Sequence, residues 1–363
     1  MITREWPLVP VYATAAIFYA FDASLLGGVT NAAWAGVVLV WLFAVMLLSA
    51  FAVVRHSESL AEIFGEPYGT LILTLAITVI EVLMIAAVML TGPEVSTTAR
   101  DTMFAVVMIV FNGMAGLVLL AGGLRYHEQT YNLQGANAFL AVIVPLAVLG
   151  LVLPNFTESA PGGTLSTLHE GFLILMSLAL YGIFLAIQTL RHRHYFLDDD
   201  HKEEMHAPGE LDLRPAAYHG VLLVLYIVPI VLLSKKIAVP IDFGVRVLGA
   251  PAALVGFLVA ALILAPESLS AVRATLANQM QRSINLLLGS VLASISLTIP
   301  AVLAIALLTD RTVVLGLAPV DVILLLLTLA MATLTYASGR TNILQGAVHL
   351  LLFSAYLVLI FDR

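Results

Sequence analysis

The stretch Tyr68-Gly-Thr-Leu-Ile-Leu-Thr-Leu-Ala-Ile-Thr-Val-Ile-Glu81-Val-Leu-Met-Ile-Ala-Ala-Val-Met-Leu-Thr91 decides what kind of fold this chain can adopt. It carries one side chain that is charged at neutral pH in water, Glu81, close to its centre. A helix of about 20 mostly apolar residues crosses the ~30 Å hydrocarbon core of a bilayer, and this stretch has that length and composition. A charge at such a depth costs at least ~2.5–3.5 kcal/mol on insertion scales. Glu81 therefore marks either an ion or proton path, or a buried carboxyl bonded to a neighbouring helix.

Moving outward in both directions, the same pattern recurs. Apolar runs cover 8–28, 32–54, 68–91, 102–124, 135–153, 168–190, 217–238, 244–272, 284–308, 318–337 and 345–361, divided by short turns with Gly, Pro or charge. Alternating segments of ~10 residues, the signature of a membrane β-barrel, are absent. Lipid offers no partner for free backbone groups, so the runs read as helices. The expected fold is all-α and polytopic, with about eleven transmembrane helices. The 8–28 run could mimic a signal peptide, but no clear small-residue cleavage pattern follows it and further spans come after, so it counts as a span.

Composition agrees. Of 363 residues, 61% are apolar and 11% charged, with a net charge of −7. A soluble fold of this length cannot bury that much apolar surface. An ordinary cytosolic enzyme, a disordered chain and a basic nucleic-acid binder are excluded. Without cysteine there is no disulfide framework, thiolate metal site or Cys nucleophile. No His-Glu-x-x-His, Gly-x-Ser-x-Gly, phosphate-binding loop or dinucleotide fingerprint occurs. The chain reads as a non-enzyme with no cofactor, whose partners are the lipid bilayer and transported ions; a homo-oligomer stays open.

One segment interrupts the apolar pattern. Residues 191–214 carry seven of the 23 acids and four of the nine histidines. The segment lacks EF-hand spacing and reads first as a solvated linker, with cation sensing through Asp198, Asp199, Asp200, Glu203 and Glu204 as the other reading. It separates six spans from five. Five plus five with one leading span is the arithmetic of an inverted repeat, because an odd number of spans flips the second copy. The expected organisation is a leading helix (1–31), a first five-helix repeat (32–190), an acidic His-rich loop (191–216) and a second five-helix repeat (217–363). Lys and Arg are counted ten against six in favour of the side holding the N-terminus, which predicts a cytoplasmic N-terminus. The string Leu-Gln-Gly-Ala occurs at 133–136 and 344–347, but its spacing does not match that of the repeats, and it is set aside as chance.

Each half has one Glu in apolar sequence, Glu81 in the third span and Glu267 in the eighth. Hydropathy alone places Glu267 near the membrane edge, although Ser268 to Val272 continues the helix and Arg273 could snorkel to the interface. Pro266 removes a backbone donor and is expected to break or kink the helix. Carboxylate oxygens are hard ligands for Ca²⁺ and similar cations, and carboxylates in low dielectric also take up protons. A site that holds a cation or protons, but not both, exchanges one for the other. Thr74, Thr78 and Glu81 lie at i, i+4, i+7 and share a helix face. Ser290, Ser294 and Thr298 form a similar stripe, and Asn112 lies in the fourth span. These could fill out a cation shell or simply bond between helices. Asp22 reads as structural or peripheral, His349 as a packing residue with satisfied polar atoms, and Glu66-Pro67 as helix-start chemistry.

Four stretches carry a resemblance. They are Gly65 to Glu81, Gly122-Gly-Leu-Arg-Tyr-His-Glu-Gln-Thr-Tyr-Asn132, Ala265-Pro-Glu-Ser-Leu-Ser-Ala-Val-Arg-Ala-Thr-Leu-Ala-Asn278, and Gln281-Arg-Ser-Ile-Asn-Leu-Leu-Leu-Gly-Ser290 through Thr298-Ile-Pro300. In that order, over about residues 55–350, they resemble the ChaA-type exchangers. These belong to the calcium/proton exchanger branch of the calcium/cation antiporter superfamily. The resemblance implies eleven spans, two inverted repeats joined by an acidic cytoplasmic segment, a bacterial inner-membrane location, and one essential Glu per repeat, here Glu81 and Glu267. The wider branch has Gly-Asn before each key Glu, where this chain has Ile77-Thr78 and Ile263-Leu264. Fewer side-chain oxygens would weaken a preference for Ca²⁺ and admit Na⁺ or K⁺.

The expected function is export of Ca²⁺, with Na⁺ or K⁺ as further candidates, against inward protons by alternating access. The expected cation and proton site is Glu81, Glu267, Thr78, Asn112, Ser290 and Ser294, with the two glutamates as the direct metal ligands. A proton-uncoupled channel or uniporter using the same carboxylates is the alternative. An intramembrane enzyme is the weaker third, because no nucleophile–base pair or metal constellation is present.

Overall fold

The computed structural model describes residues 5–27, 29, 31–65, 68–91, 95–197 and 214–362. The acidic stretch 198–213 and the Glu66-Pro67 helix start lie outside the described residues. The rest is a helical bundle. In chain order the helices are α1 (Leu8–Ala20), α2 (Ala32–Phe64), α3 (Tyr68–Thr91), α4 (Thr98–Tyr126), α5 (Leu133–Asn155), α6 (Thr167–Arg191), α7 (Ala216–Arg246), α8 (Ala253–Leu276), α9 (Met280–Thr309), α10 (Pro319–Tyr336) and α11 (Ile343–Phe361). Among the described residues, nine are long and apolar enough to cross a membrane, and two shorter apolar stretches, Leu8–Ala20 and Thr74–Leu90, fall in α1 and α3.

Several expected boundaries move. The first span is shorter than 8–28, because α1 stops at Ala20 and a single turn, Asp22–Leu25, follows. The seventh runs past 238 to Arg246, through Pro229 and Pro240, and carries Lys235 and Lys236 well inside it. Lys236 is neutralised there by Asp22 at 2.8 Å, which ties the end of α1 to α7. The eighth starts at Ala253, not 244, and continues to Leu276. Its helix passes through Pro266 without interruption, so the expected break is not found. This shift moves Glu267 inward, away from the membrane edge suggested by hydropathy. At 33 and 31 residues, α2 and α7 rise roughly 45–50 Å at 1.5 Å per residue, well beyond the ~30 Å hydrocarbon core.

Asparagine explains the Leu-Gln-Gly-Ala duplication. Asn132 caps α5 by accepting from the backbone of Gln134 and Gly135, and Asn342 caps α11 in a reciprocal box with Gln345. The two strings are helix-start signals on helices that do not correspond in the five-plus-five scheme.

The centre of the bundle is α4, with 89% of its apolar window buried, against 28% for α6 and α11 at the periphery. Close approach depends on missing side chains. A Cβ on Gly256 of α8 would lie 2.5 Å from the Asp101 carbonyl carbon of α4, and one on Gly346 of α11 would lie 2.7 Å from the Leu120 nitrogen. Small residues of this kind let membrane helices pack backbone to backbone.

Polar ties gather at the two ends. At the end holding Glu5, the turn before α5 meets the α8–α9 and α10–α11 turns through Gln129 to Asn278 (2.9 Å), Asn132 to Gln281 (2.7 Å) and Tyr131 to Gly339 (3.1 Å). At the opposite end, Arg311 donates to the carbonyls of Met89 and Leu90 at the α3 terminus, and Arg100 donates to Gly316. There the two-residue strands β1 (Val95–Ser96) and β2 (Thr312–Val313) pair in parallel.

Candidate functional site

Halfway along α3 and α8, Glu81 and Glu267 are 1% and 0% exposed. Each meets the same neighbour, α9. Ser294 Oγ donates to Glu81 Oε2 at 2.5 Å and Thr298 Oγ1 to Glu81 Oε1 at 3.1 Å. Ser290 Oγ donates to Glu267 Oε2 at 2.7 Å. The Ser290–Ser294–Thr298 stripe is thus one ladder of hydroxyls, one turn apart, with each carboxyl hung on a different rung. Four residues of helix rise about 6 Å, which sets the scale separating the two groups along the bundle. Ser294–Thr298 is wound as a π-helix. Such turns are rare in helices and are often found at functional sites.

Glu267 Oε1 has no hydrogen-bond partner among the described residues. An unpaired buried polar atom is costly, so this oxygen is the open valence of the site. With two carboxyl groups and three hydroxyls converging, the centre offers hard oxygen donors only. Among the described residues no group of three or more acidic, His or Cys side chains is placed to hold a metal ion. The donor set therefore suits a hard cation held partly by hydroxyls, rather than a resident transition metal.

Two other expected site residues lie apart from this contact set. Thr78 turns back to donate to the Thr74 carbonyl of its own helix at 2.9 Å. Asn112 sits in a second π-helical turn, Ile109–Met114 of α4. It donates to Thr328 at 2.8 Å and contacts His349 Nδ1 at 3.0 Å through Oδ1. The other ring nitrogen of His349 meets Thr335 at 2.9 Å. His349 is therefore a satisfied buried residue, as expected, and also a bridge from α11 to α4 and α10. Thr328 as the partner of Asn112 and Thr335 as the partner of His349 were not legible: nothing in sequence separates a threonine facing a helix from one facing lipid. Thr74, Gln188 and Asn285 line a small cavity toward the Glu5 end, walled by Phe139, Tyr181 and Phe184. Thr74 shares the Glu81 face of α3, so this cavity approaches the site from that end.

Membrane-length helices packed around two sealed carboxyls define a polytopic membrane protein with a buried acidic centre. Comparison with known proteins gives its family. The model of the sodium/calcium exchanger protein family matches residues 34–190 and 218–361, and the chain belongs to that family. It is 46% identical over 325 residues to y4hA of Sinorhizobium fredii, covering 89% of this chain and 88% of that protein. It is 40% identical over 319 residues to the sodium-potassium/proton antiporter ChaA of Escherichia coli, covering 87% and 86%. Among solved structures, YfkE superposes with a TM-score of 0.74 at 17% identity, covering 98% of this chain and 100% of that one. The H⁺/Ca²⁺ exchanger CAX superposes with a TM-score of 0.70 at 16% identity, covering 99% and 89%. At those identities the two structures speak for the fold alone.

Proposed function

We propose that this protein is a secondary active cation/proton antiporter, with Glu81 and Glu267 as the groups that carry cation and proton in turn. The observation that carries the reading is the pair of buried carboxyls suspended from one hydroxyl ladder on α9. A carboxyl sealed from water is neutral when protonated and needs a cation when ionised. Each occupant thus excludes the other, and the coupling follows from charge. Family membership and the 40% identity to a sodium-potassium/proton antiporter support the same reading.

In this scheme the first and second five-helix units, 32–190 and 217–363, are inverted repeats that rock around the site. The correspondence of Glu81 with Glu267 supports it. So does the placing of the two central π-turns, which begin 28 residues after Glu81 and 27 after Glu267. Ser290 and Ser294 orient the carboxyls, and Asn112 and Thr78 belong to a shell completed in another state of the cycle. The cation is Ca²⁺ with Na⁺ or K⁺ also accepted, taken outward across a bacterial inner membrane against entering protons. The Glu5 end then faces the cytoplasm. No redox cofactor takes part.

The test is transport in proteoliposomes with an imposed pH gradient, reading proton release on addition of Ca²⁺, Na⁺ or K⁺. Wild type should dissipate the gradient with at least one cation, and Glu81→Gln should not. Cation flux indifferent to the gradient would make the protein a channel or uniporter. Intact transport in Glu81→Gln would remove the site assignment.

A further inference from the structure

Glu267 Oε1 lacks a donor, and the side chain that the two-repeat scheme would assign to it is engaged elsewhere. Asn112 and Thr298 stand 186 residues apart, the same offset that separates Glu81 from Glu267. Each belongs to a π-helical turn, Ile109–Met114 and Ser294–Thr298. Thr298 donates to Glu81 Oε1 at 3.1 Å. The matching contact in the other half would join Asn112 to Glu267 Oε1, the oxygen with no partner among the described residues. The turn that carries Asn112 packs against α8, the Glu267 helix, and against α9, α10 and α11.

The amide is held where it is from both ends. Nδ2 donates to Thr328 Oγ1 at 2.8 Å and reaches Met108 Sδ at 3.6 Å. Oδ1 meets His349 Nδ1 at 3.0 Å, and His349 Nε2 meets Thr335 Oγ1 at 2.9 Å. Asn112, Thr328 and His349 are each 0% exposed. The engagement survives either flip of the amide, because a hydroxyl and a neutral imidazole can each donate or accept. The helix bearing His349 is locked on α4: a Cβ on Gly116 would lie 2.8 Å from Leu350 Cγ. The amide therefore leaves by turning about its own side-chain torsions, not by a slide of α11.

We propose that Thr328 and His349 are positioning residues, which hold the Asn112 amide away from Glu267 Oε1 until a cation binds. This rests on the antiport reading of the carboxyl pair and adds the device that completes its shell. A hydrogen bond to an ionised carboxylate is stronger than one to a hydroxyl or imidazole. Turning is thus favoured when Glu267 is ionised and a cation has replaced its proton, and reversed when the proton returns. In the turned position Nδ2 donates to Glu267 Oε1, and Oδ1 is presented to the cation as a neutral hard donor.

The test is NMR of full-length protein in nanodiscs, with ¹³C in glutamate carboxyls and ¹⁵N in asparagine amides, assigned through Glu267→Gln and Asn112→Leu. It is run without cation at alkaline pH, so it does not depend on transport. Thr328→Val removes the best acceptor of the amide, and the Asn112 and Glu267 signals should then move together. Thr328→Ser keeps the hydroxyl and should leave both at their wild-type positions. A merely structural threonine would shift the amide and leave the carboxyl unmoved. If Thr328→Val fails to fold, His349→Phe frees the other end of the amide and is read in the same way. In proteoliposomes these variants should lower the half-saturating cation concentration, roughly fivefold for one net hydrogen bond, and the change should vanish in an Asn112→Leu background. A Glu267 signal that stays fixed in the variants overturns the proposal, and so does an affinity change that survives Asn112→Leu. Wild type without cation-dependent proton release would instead sink the antiport reading, while the NMR result still decides whether the amide reaches Glu267.

Discussion

In the proposed two-repeat scheme Glu81 and Glu267 are equivalent positions, yet their surroundings differ. Both oxygens of Glu81 accept hydrogen bonds, from Ser294 and Thr298. Glu267 accepts one, from Ser290, and its other oxygen is bare. The offset between the glutamates is 186 residues, and the same offset places Phe104, Met108 and Asn112 of α4 opposite Ser290, Ser294 and Thr298 of α9. The hydroxyl ladder thus exists on one side only. On the other, a phenyl ring and a thioether replace two donors, and the third candidate, Asn112, is occupied by Thr328 and His349. The asymmetry makes Glu267 the less satisfied carboxyl, and under the proposed function the one with more to gain from a cation.

The largest expected effect removes the carboxyls themselves. Glu81→Gln and Glu267→Gln should each abolish cation-dependent proton release from proteoliposomes; a variant that still exchanges would break the equivalence of the pair. Next come the hydroxyls. A hydrogen bond to a charged group contributes ~1.5–3 kcal/mol, about ten- to a hundredfold in binding. Ser290→Ala takes away the one donor that Glu267 has, while Ser294→Ala leaves Glu81 with Thr298. The half-saturating cation concentration should therefore move more in Ser290→Ala than in Ser294→Ala. The reverse order would mean that Glu267 is not the unsatisfied member.

Met108→Ser sharpens the comparison further by restoring the missing rung. In the Ser290→Ala background it should recover about 1 kcal/mol, roughly fivefold in apparent affinity, measured in the same assay. A smaller effect concerns acid stability. Burial pushes the Glu5 carboxyl up, but the Tyr226 hydroxyl, the Arg55 guanidinium and His56 together hold it below its ordinary value of 4.5 in the folded protein. A lowered carboxyl contributes stability that is complete above the unfolded value and lost as pH falls through the folded one. Thermal melting in detergent should show wild type losing stability below pH about 4.5 more steeply than Glu5→Gln. The smallest effect is at the opposite end: Asp22 is 54% exposed in its pair with Lys236, and Asp22→Asn should cost under ~1 kcal/mol.

The exchanger-type bundle and Glu81 were legible because hydropathy is a local property, and one carboxyl in 24 apolar residues has no ordinary explanation. Glu267 was half-hidden, because the apolar run from Val245 blurred the true start of α8 at Ala253. The hydroxyl stripe on α9 was visible as periodicity. That Ser290 serves one glutamate while Ser294 and Thr298 serve the other was not, since the partners of Glu81 lie 213 and 217 residues away. Thr78 illustrates the converse: it shares the face expected of a ligand and spends its hydroxyl on its own backbone. The contact of His56 with His219, 163 residues away and 3.1 Å between Nδ1 atoms, carried no signal, because polar residues near the ends of long helices read as interfacial.

By itself the sequence determined that the chain must cross a membrane as helices, roughly where each helix lies, and that Glu81 is too deep to be accidental. These follow from the energy of placing apolar and charged groups in lipid, which acts on each segment separately. Only the tertiary structure decided which oxygen of which glutamate is left bare, where Asn112 turns its amide, and that His56 and His219 meet Nδ1 to Nδ1. Those depend on which helices lie side by side and at what rotation, and hydrogen bonds, unlike hydrophobic burial, are settled atom by atom.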